Sequence, residues 1–388
     1  MKEITRLHVV DALRGFAIVS IMLLHNIEHF DFYFFPENLP DWLKTIDAGI
    51  WKTMFFLFGG KSYAIFALLF GLTFYIQHER QAAKGKDFRF RFAWRLLLLF
   101  VFGTINSAFY EGDILSIYAI LGLTLIPVAR LNDKIVFIIS ILLLLQPVGL
   151  YDVFWGIMHP HAVLPEPASW SLFAKAGEYI PQHSFLDTVV GNLTNGKKAV
   201  ALWSWESGRV FQTPALFMLG MLAGRRALFE DTNVSKTFWN RTLVISGLAF
   251  IALYFCQNRL ESWIPSVSIH VPLKNVVITW SNFAFMLVLI SGFFISYHTR
   301  ILHKVFDVFS PLGQMSLSNY IMQSMLGSII YYGFGLGLYE FTGASHCLMI
   351  GLILAIIQGI FSKWWLNSHK RGPLEQIWHR LTWVGAKR

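Results

Sequence analysis

Charge is what this sequence has least of. Asp, Glu, Lys and Arg make up 14% of its 388 residues, against about 25% in soluble globular domains, and the deficit excludes a water-soluble fold. Cysteine is scarcer still. Cys256 and Cys347 are the whole supply, which rules out a disulfide framework and leaves them as small buried side chains or as one conceivable bridge. Low-complexity polar tracts are also missing. What is present is apolar: 55% hydrophobic residues with 36 Phe and 14 Trp and a mean hydropathy of +0.51, more than enough to offset ordering entropy. A net charge of +9 would suit nucleic acid, but a membrane protein acquires it by keeping Lys and Arg on one side. No nucleic-acid partner is expected.

A helix needs about 20 largely apolar residues to cross about 30 Å of hydrocarbon. About ten stretches approach this: residues 9–27, 62–77, 92–110, 114–129, 135–157, 210–228, 243–256, 276–297, 316–338 and 347–366. Lys2 and Arg6 precede the first, Arg80 to Arg95 follow the second, Arg130 and Lys134 the fourth, Arg225 to Arg241 the sixth, Arg300 and Lys304 the eighth, and Lys370 to Arg388 the tenth. The alternate connections carry acids instead. The positive-inside rule therefore predicts an all-α, polytopic bundle of about ten transmembrane helices with both termini cytoplasmic. It divides into an N-terminal five-helix half, 1–157, an outer loop or lid, 158–208, and a C-terminal five-helix half, 209–388. The first stretch is read as a retained helix, not a signal peptide, because it carries Asp11 and Arg14. Residues 42–60 read as an interfacial or re-entrant helix.

Ionisable groups inside a span are expensive and mark candidate sites. The first span has the most. Asp11 and Arg14 lie one turn apart, as a functional pair or as a neutralised pair pinning two helices. Arg14 and His25 share a helix face, separated by about 16 Å along the axis, so they are expected to lie on one continuous passage through the membrane. Imidazole titrates near neutrality and can serve as a general base oriented by a carboxylate; Glu28, Glu111 and Asp113 lie at the same outer level to do this. His25, Glu28 and His29 also spell H-x-x-E-H, a string that can hold zinc, although no metal is expected here. Residues 59–62 read GGKS, but Phe55 stands where a phosphate-binding loop needs glycine. Arg89, Arg91 and Arg95 alternate with aromatics, as cofactor-phosphate ligands or as membrane anchors. Lys61, Trp203, Trp205 and Arg209, with Trp170, are candidates for contacting an outer substrate. Glu206 and Arg209 form an i, i+3 pair, and Asn319 and Gln323 read as helix-packing glue.

The segments DALRGFAIVSIMLLHN from Asp11, KSYAIFALLFGL from Lys61, EGDILSIYAILGL from Glu111, GQMSLSNYIMQS from Gly313 and RGPLEQIWHRLT from Arg371 together resemble the YeiB family of bacterial inner-membrane proteins and its uncharacterised C-terminal domain. That family is similar in turn to the transmembrane acyltransferase superfamily, with its acyltransferase-three and heparan-α-glucosaminide N-acetyltransferase members. The resemblance implies a helical tunnel with acyl-CoA entering from the cytoplasm. Arg14 and His25 match the superfamily's Arg and His spaced by ten residues; His25 would be the base, Arg14 would position the acyl-CoA arm and Asp11 would hold Arg14. Glu111, Asp113 and residues 372–375 match without an implied role.

The expected function is thus transfer of an acetyl or other short acyl group from cytoplasmic acyl-CoA to a hydroxyl or amine acceptor, a sugar or lipid-linked glycan, at the outer face of the inner membrane. Membrane lipids are expected partners, and a homodimer is compatible with the reading. The alternatives are a transporter of a small solute or lipid using Asp11, Arg14 and His25 as its path, and a metal-dependent membrane hydrolase.

Overall fold

The computed structural model describes residues 7–384. Lys2, Arg6, Lys387 and Arg388 of the basic tally lie outside these. The described residues form helices and no strand: α1 (His8–Ile27), α2 (Asp41–Phe58), α3 (Ser62–Ala82), α4 (Arg89–Ser107), α5 (Leu115–Gly122), α6 (Leu125–Val128), α7 (Asp133–Leu144), α8 (Pro147–Met158), α9 (Ala168–Ala174), α10 (Ala176–Tyr179), α11 (Phe185–Gly191), α12 (Lys197–Glu206), α13 (Arg209–Arg225), α14 (Asn233–Trp263), α15 (Val267–Tyr297), α16 (His303–Asp307), α17 (Ser310–Gln314), α18 (Ser316–Tyr331), α19 (Ala344–Ser368) and α20 (Pro373–Thr382).

All ten apolar stretches fall on helices, yet among the described residues six runs are long and apolar enough to cross a membrane, or seven if the bent pair α7–α8 is one span. This is a multi-pass helical membrane bundle. The shortfall from ten has local causes. Stretch 135–157 bends by 43° between α7 and α8, where Pro147 starts a new helix and Gln146 adopts φ +58; the Trp280 indole donates to the freed Leu144 carbonyl at 2.7 Å. Stretch 114–129 breaks between α5 and α6, and 316–338 stops at Tyr331 before three glycines, 333, 335 and 337. Conversely, α2 and α3 make one 42-residue apolar run, Asp41–Ala82, interrupted at Gly59 and Gly60. Residues 42–60 thus fall largely in a helix of their own, α2, with no fully buried residue, that continues into α3 across this break.

The central element is α1, buried along most of its length and packed on α3, α17, α18 and α19. Its contact with α17 and the α3–α13 contact are backbone-close: a Cβ added at Gly15 would meet the Phe309 carbonyl oxygen at 1.9 Å, and one at Gly71 the Phe217 oxygen at 1.8 Å. Small residues at a crossing let membrane helices gain dispersion contacts that lipid tails would otherwise supply. Asn319 bridges to the Leu312 carbonyl and Ser362 Oγ at 3.1 and 3.0 Å, the packing role expected of it. The α14–α15 hairpin flanks the bundle, with α14 mostly outward-facing.

The segment 158–208 is helical over α9–α12, with a π turn at Asn192–Gly196. Ser169 Oγ donates to Glu206 at 2.5 Å and Asn195 to the Leu172 carbonyl at 2.7 Å. Glu206 thus ties this segment together and does not pair with Arg209. Cys256 and Cys347 are both free.

Candidate functional site

Helix α1 ends at Ile27, and the chain then takes three successive left-handed residues, His29, Phe30 and Asp31, at φ 48, 57 and 65. None is glycine, so each costs on the order of 1 kcal/mol or more. Burial of the Phe30 ring offsets that cost. It is fully enclosed, touching Tyr110 and Tyr331 and lying where any side chain at Gly327 would sit. The turn brings Asp31 back beside His25 and Glu28; ligand-capable atoms of the three lie within 4.8 Å of one another. His25 Nδ1 is 3.3 Å from Glu28 Oε2 and 2.9 Å from the Tyr110 hydroxyl, and the Tyr33 hydroxyl donates to Glu28 Oε1 at 3.0 Å. This leaves Nε2, with a 3.4 Å contact to Tyr110, as the remaining polar edge of the ring. His25, Glu28 and Asp31 line an 810 Å³ cavity at the acidic end of the bundle, roofed by Trp170 and Trp203 and also lined by Lys61 and Arg209. The Arg209 guanidinium is sandwiched 4.0 Å from the Tyr63 ring and 3.9 Å from that of Trp203.

Not every expected residue arrives here. Asp113 accepts from Ser116 N, Ser116 Oγ and Asn106 at 3.0, 2.9 and 3.0 Å, capping the start of α5. Glu111 accepts from Tyr179 at 2.8 Å. Neither bonds His25; of the three acids expected beside the ring, Glu28 is the one in contact with it. His29 turns away, its Nε2 on the Thr342 carbonyl at 2.9 Å and 3.2 Å from Cys347 Sγ; the H-x-x-E-H string does not converge because the helix ends before it does. If a divalent cation were held here, its ligands would be His25, Glu28 and Asp31. Trp205 is exposed and packs on Phe211, away from the cavity. Asp31, Tyr33 and Tyr110 were not anticipated. The signal available was the acid at Asp31, which sequence shows only as one of the charges in an outer connection.

Burial, with Glu28 beside it, pushes the Asp31 carboxyl up to about 7, and burial with Asp31 nearby pushes Glu111 up to about 8. The folded state therefore binds more protons than the unfolded chain between about pH 4 and these values, and stability falls as pH rises through that window. Asp31→Asn should flatten this fall and raise the melting temperature at pH 8; a melting temperature that stays pH-dependent to the same degree would contradict the assignment.

At the basic end a second, 180 Å³ cavity is lined by Arg14, Thr73, Gln77, Arg95, Glu375 and Trp378 among others. Arg14 pairs with Asp11 at 3.3 Å and donates to Thr73 at 2.9 Å, as the pairing of Asp11 with Arg14 anticipates. Of the basic row, only Arg95 lines the cavity, stacked 4.1 Å over Trp378. Arg89 pairs with Asp87 at 2.7 Å, and Arg91 donates to the Thr382 and Val384 carbonyls at 2.8 and 3.1 Å, docking α20. Glu375 accepts from Leu317 N, Ser318 N and Ser318 Oγ at 2.7, 3.0 and 2.5 Å, capping α18; residues 372–375 thus have a structural role. Glu375→Ala should cost about 1–3 kcal/mol, measured as a lower melting temperature with α20 more open to proteolysis; unchanged behaviour would contradict it.

Arg14 and His25 line different cavities. Between these lie Tyr63, Ile114, Tyr118 and Tyr320: Tyr118 donates to the Tyr63 carbonyl at 2.7 Å and the Ile114 amide to the Tyr320 hydroxyl at 3.4 Å. The continuous passage expected from their shared helix face is closed by this tyrosine layer.

Residues 223–385 match a protein family described as "Protein of unknown function (DUF418)". Over nearly its whole length the chain is similar to uncharacterized protein YxaH of Bacillus subtilis (strain 168), at 27% identity over 98% of this chain and 94% of that protein. It is similar to an uncharacterized 39.9 kDa protein encoded in the amylase 3' region of Bacillus acidopullulyticus, at 25% over 97% and 94%, and to uncharacterized protein YeiB of Escherichia coli (strain K12), at 24% over 96% and 95%. These similarities support a YeiB-like family. No solved structure matches the chain.

Proposed function

We propose that the protein is a membrane acyltransferase of the bacterial inner membrane that moves a short acyl group from cytoplasmic acyl-CoA to a hydroxyl or amine acceptor in the larger cavity. The observation that carries this reading is His25, its Nδ1 edge engaged by Glu28 and Tyr110 and its Nε2 edge left at an 810 Å³ cavity. Ten crossings with both termini in the cytoplasm would put the basic end inside. His25 Nε2 takes the acceptor's proton as its oxygen or nitrogen attacks the acyl carbonyl; the carbon–sulfur bond breaks and the CoA thiolate leaves, to be protonated on the cytoplasmic side. Glu28 holds the ring and stabilises the imidazolium.

The smaller cavity, at 180 Å³, is below the about 300–1,000 Å³ that encloses a drug-sized ligand. It suits the slim thioester arm, with the nucleotide resting outside near Arg14 and Arg95, and the tyrosine layer must part for the arm to reach His25. The same two vestibules, one at each end with a closed layer between, favour transport as the second reading. Acetyl-CoA separates the two. It should raise the melting temperature of the purified protein more than free CoA does, corresponding to about 2.7 kcal/mol at a hundred times its dissociation constant. No shift with acetyl-CoA, alongside solute-driven proton flux in vesicles, would favour transport.

A further inference from the structure

The segment 59–62 lacks the sequence of a phosphate-binding loop but builds something similar in space. Gly60, at φ +74, turns the chain so that α3 begins at Ser62 facing the larger cavity, and that conformation favours glycine. No side chain caps this 21-residue helix, and the Tyr63 and Ala64 amides find no backbone acceptor in the preceding loop. An open helix N-terminus attracts anions through its free N–H groups and the positive end of its dipole.

Three side chains add to it. Ser62 lines the cavity at 1% exposure and its hydroxyl has no hydrogen-bond partner among the described residues. Lys61 is 6% exposed, and among the described residues its ammonium reaches the Phe55 carbonyl, at 3.4 Å, and lies over the Phe56 and Phe285 rings, 5.9 and 5.8 Å from their centroids. Arg209 sits on two aromatic rings and makes no ion pair or hydrogen bond among the described residues, although it opens α13, where the helix dipole disfavours a cation. Two cations and an orphaned hydroxyl thus border one cavity; neither cation makes an ion pair among the described residues, although the Arg209 charge acts on Asp31. The carboxylates of that volume, Glu28 and Asp31, are engaged around His25.

We propose that the N-terminus of α3, with Lys61, Ser62 and Arg209, binds a phosphate group, and that the acceptor is a phosphate-bearing alcohol or amine anchored there while its nucleophile faces His25. The phosphate site stands on the cavity alone; its identification with the acceptor rests on the acyl-transfer reading. A phosphate offers acceptor oxygens to all of these donors at once, and charge-assisted bonds of this kind are the strong ones.

The test is thermal unfolding of the purified full chain in non-ionic detergent. Inorganic phosphate, dihexanoyl phosphatidic acid and dihexanoyl phosphatidylcholine are titrated against sodium chloride of equal ionic strength. Saturable stabilisation by phosphate and by phosphatidic acid is expected, beyond that of phosphatidylcholine or chloride, with affinity at least tenfold weaker in Lys61→Met and in Arg209→Gln. Tighter binding of phosphatidic acid than of phosphate identifies a lipid headgroup as the source; equal binding identifies a soluble phosphate ester. Should Lys61→Met fail to fold, Ser62→Ala should still lower the affinity about threefold. A response matched by chloride, or unchanged in all three variants, would overturn the site. Phosphate binding without acyl transfer would leave it standing and remove the enzymatic reading. Transfer to an uncharged acceptor at a rate that Lys61→Met does not alter would do the reverse.

Discussion

His25→Ala should lower acyl transfer by about a hundredfold to ten-thousandfold, the range a positioned general base contributes, while the protein still elutes as a single species from size exclusion. The separation of effects follows from where the ring sits. It contacts Glu28 and Tyr110 at the edge of a cavity, and its removal leaves Phe30, whose burial fixes the left-handed turn, enclosed by Tyr110 and Tyr331. Glu28→Gln should have a smaller effect in the same direction, since Tyr110 still engages Nδ1. Asp113→Asn should act differently. Its carboxylate caps α5 and touches no part of His25, so its loss should lower the melting temperature without a matching loss of turnover per folded molecule. Equal turnover in His25→Ala and the parent would remove His25 from the chemistry.

The second large effect lies in the scaffold. Gly71 of α3 and Gly220 of α13 are reciprocal: a Cβ on the first would lie 1.8 Å from the Phe217 carbonyl oxygen, and one on the second 1.8 Å from the Leu68 carbonyl oxygen. Overpacking typically costs about 1–3 kcal/mol, but the atoms met here are backbone and cannot rotate aside. Gly71→Leu should therefore exceed that range, and with Gly220→Leu should approach the whole of a marginal stability of about 5–15 kcal/mol. The expected result is loss of the monodisperse peak for the double variant. Gly247→Leu is the matched control, because a Cβ at Gly247 meets nothing within 4 Å; it should behave as the parent. If Gly71→Leu were equally well tolerated, the close α3–α13 crossing would be wrong.

The bundle was legible because apolar runs are a one-dimensional signal: every stretch picked out by hydropathy is helical over most of its length. Its breaks were less legible. The apolar run 135–157 continues straight through Pro147, where the helix breaks, and the end of α18 depends on how the glycine-rich turn folds back. Within the site, the i, i+3 spacing of His25 and Glu28 was readable from the chain alone. Asp31 was not, since three left-handed residues without a glycine are stabilised by tertiary burial of Phe30, which no local pattern encodes. The closed tyrosine layer was illegible for the same reason, being assembled from α3, α5, α18 and the loop before α5. Arg89 and Arg91 illustrate an ambiguity that composition leaves open: a basic-aromatic alternation serves structure as readily as it binds phosphates, and here Arg91 and Trp94 dock α20 while Arg89 pairs with Asp87.

The claim beneath all of this is that a thioester's acyl group reaches an acceptor beside His25 across the tyrosine layer. Protein reconstituted into vesicles of bacterial polar lipid, with acetyl-labelled acetyl-CoA supplied on the side of Arg14 and Arg95, tests it directly. Free CoA thiol should appear on that side in step with label on a molecule of the opposite leaflet or lumen, and neither product should appear with His25→Ala. Solute crossing the vesicle with no thiol released would contradict it.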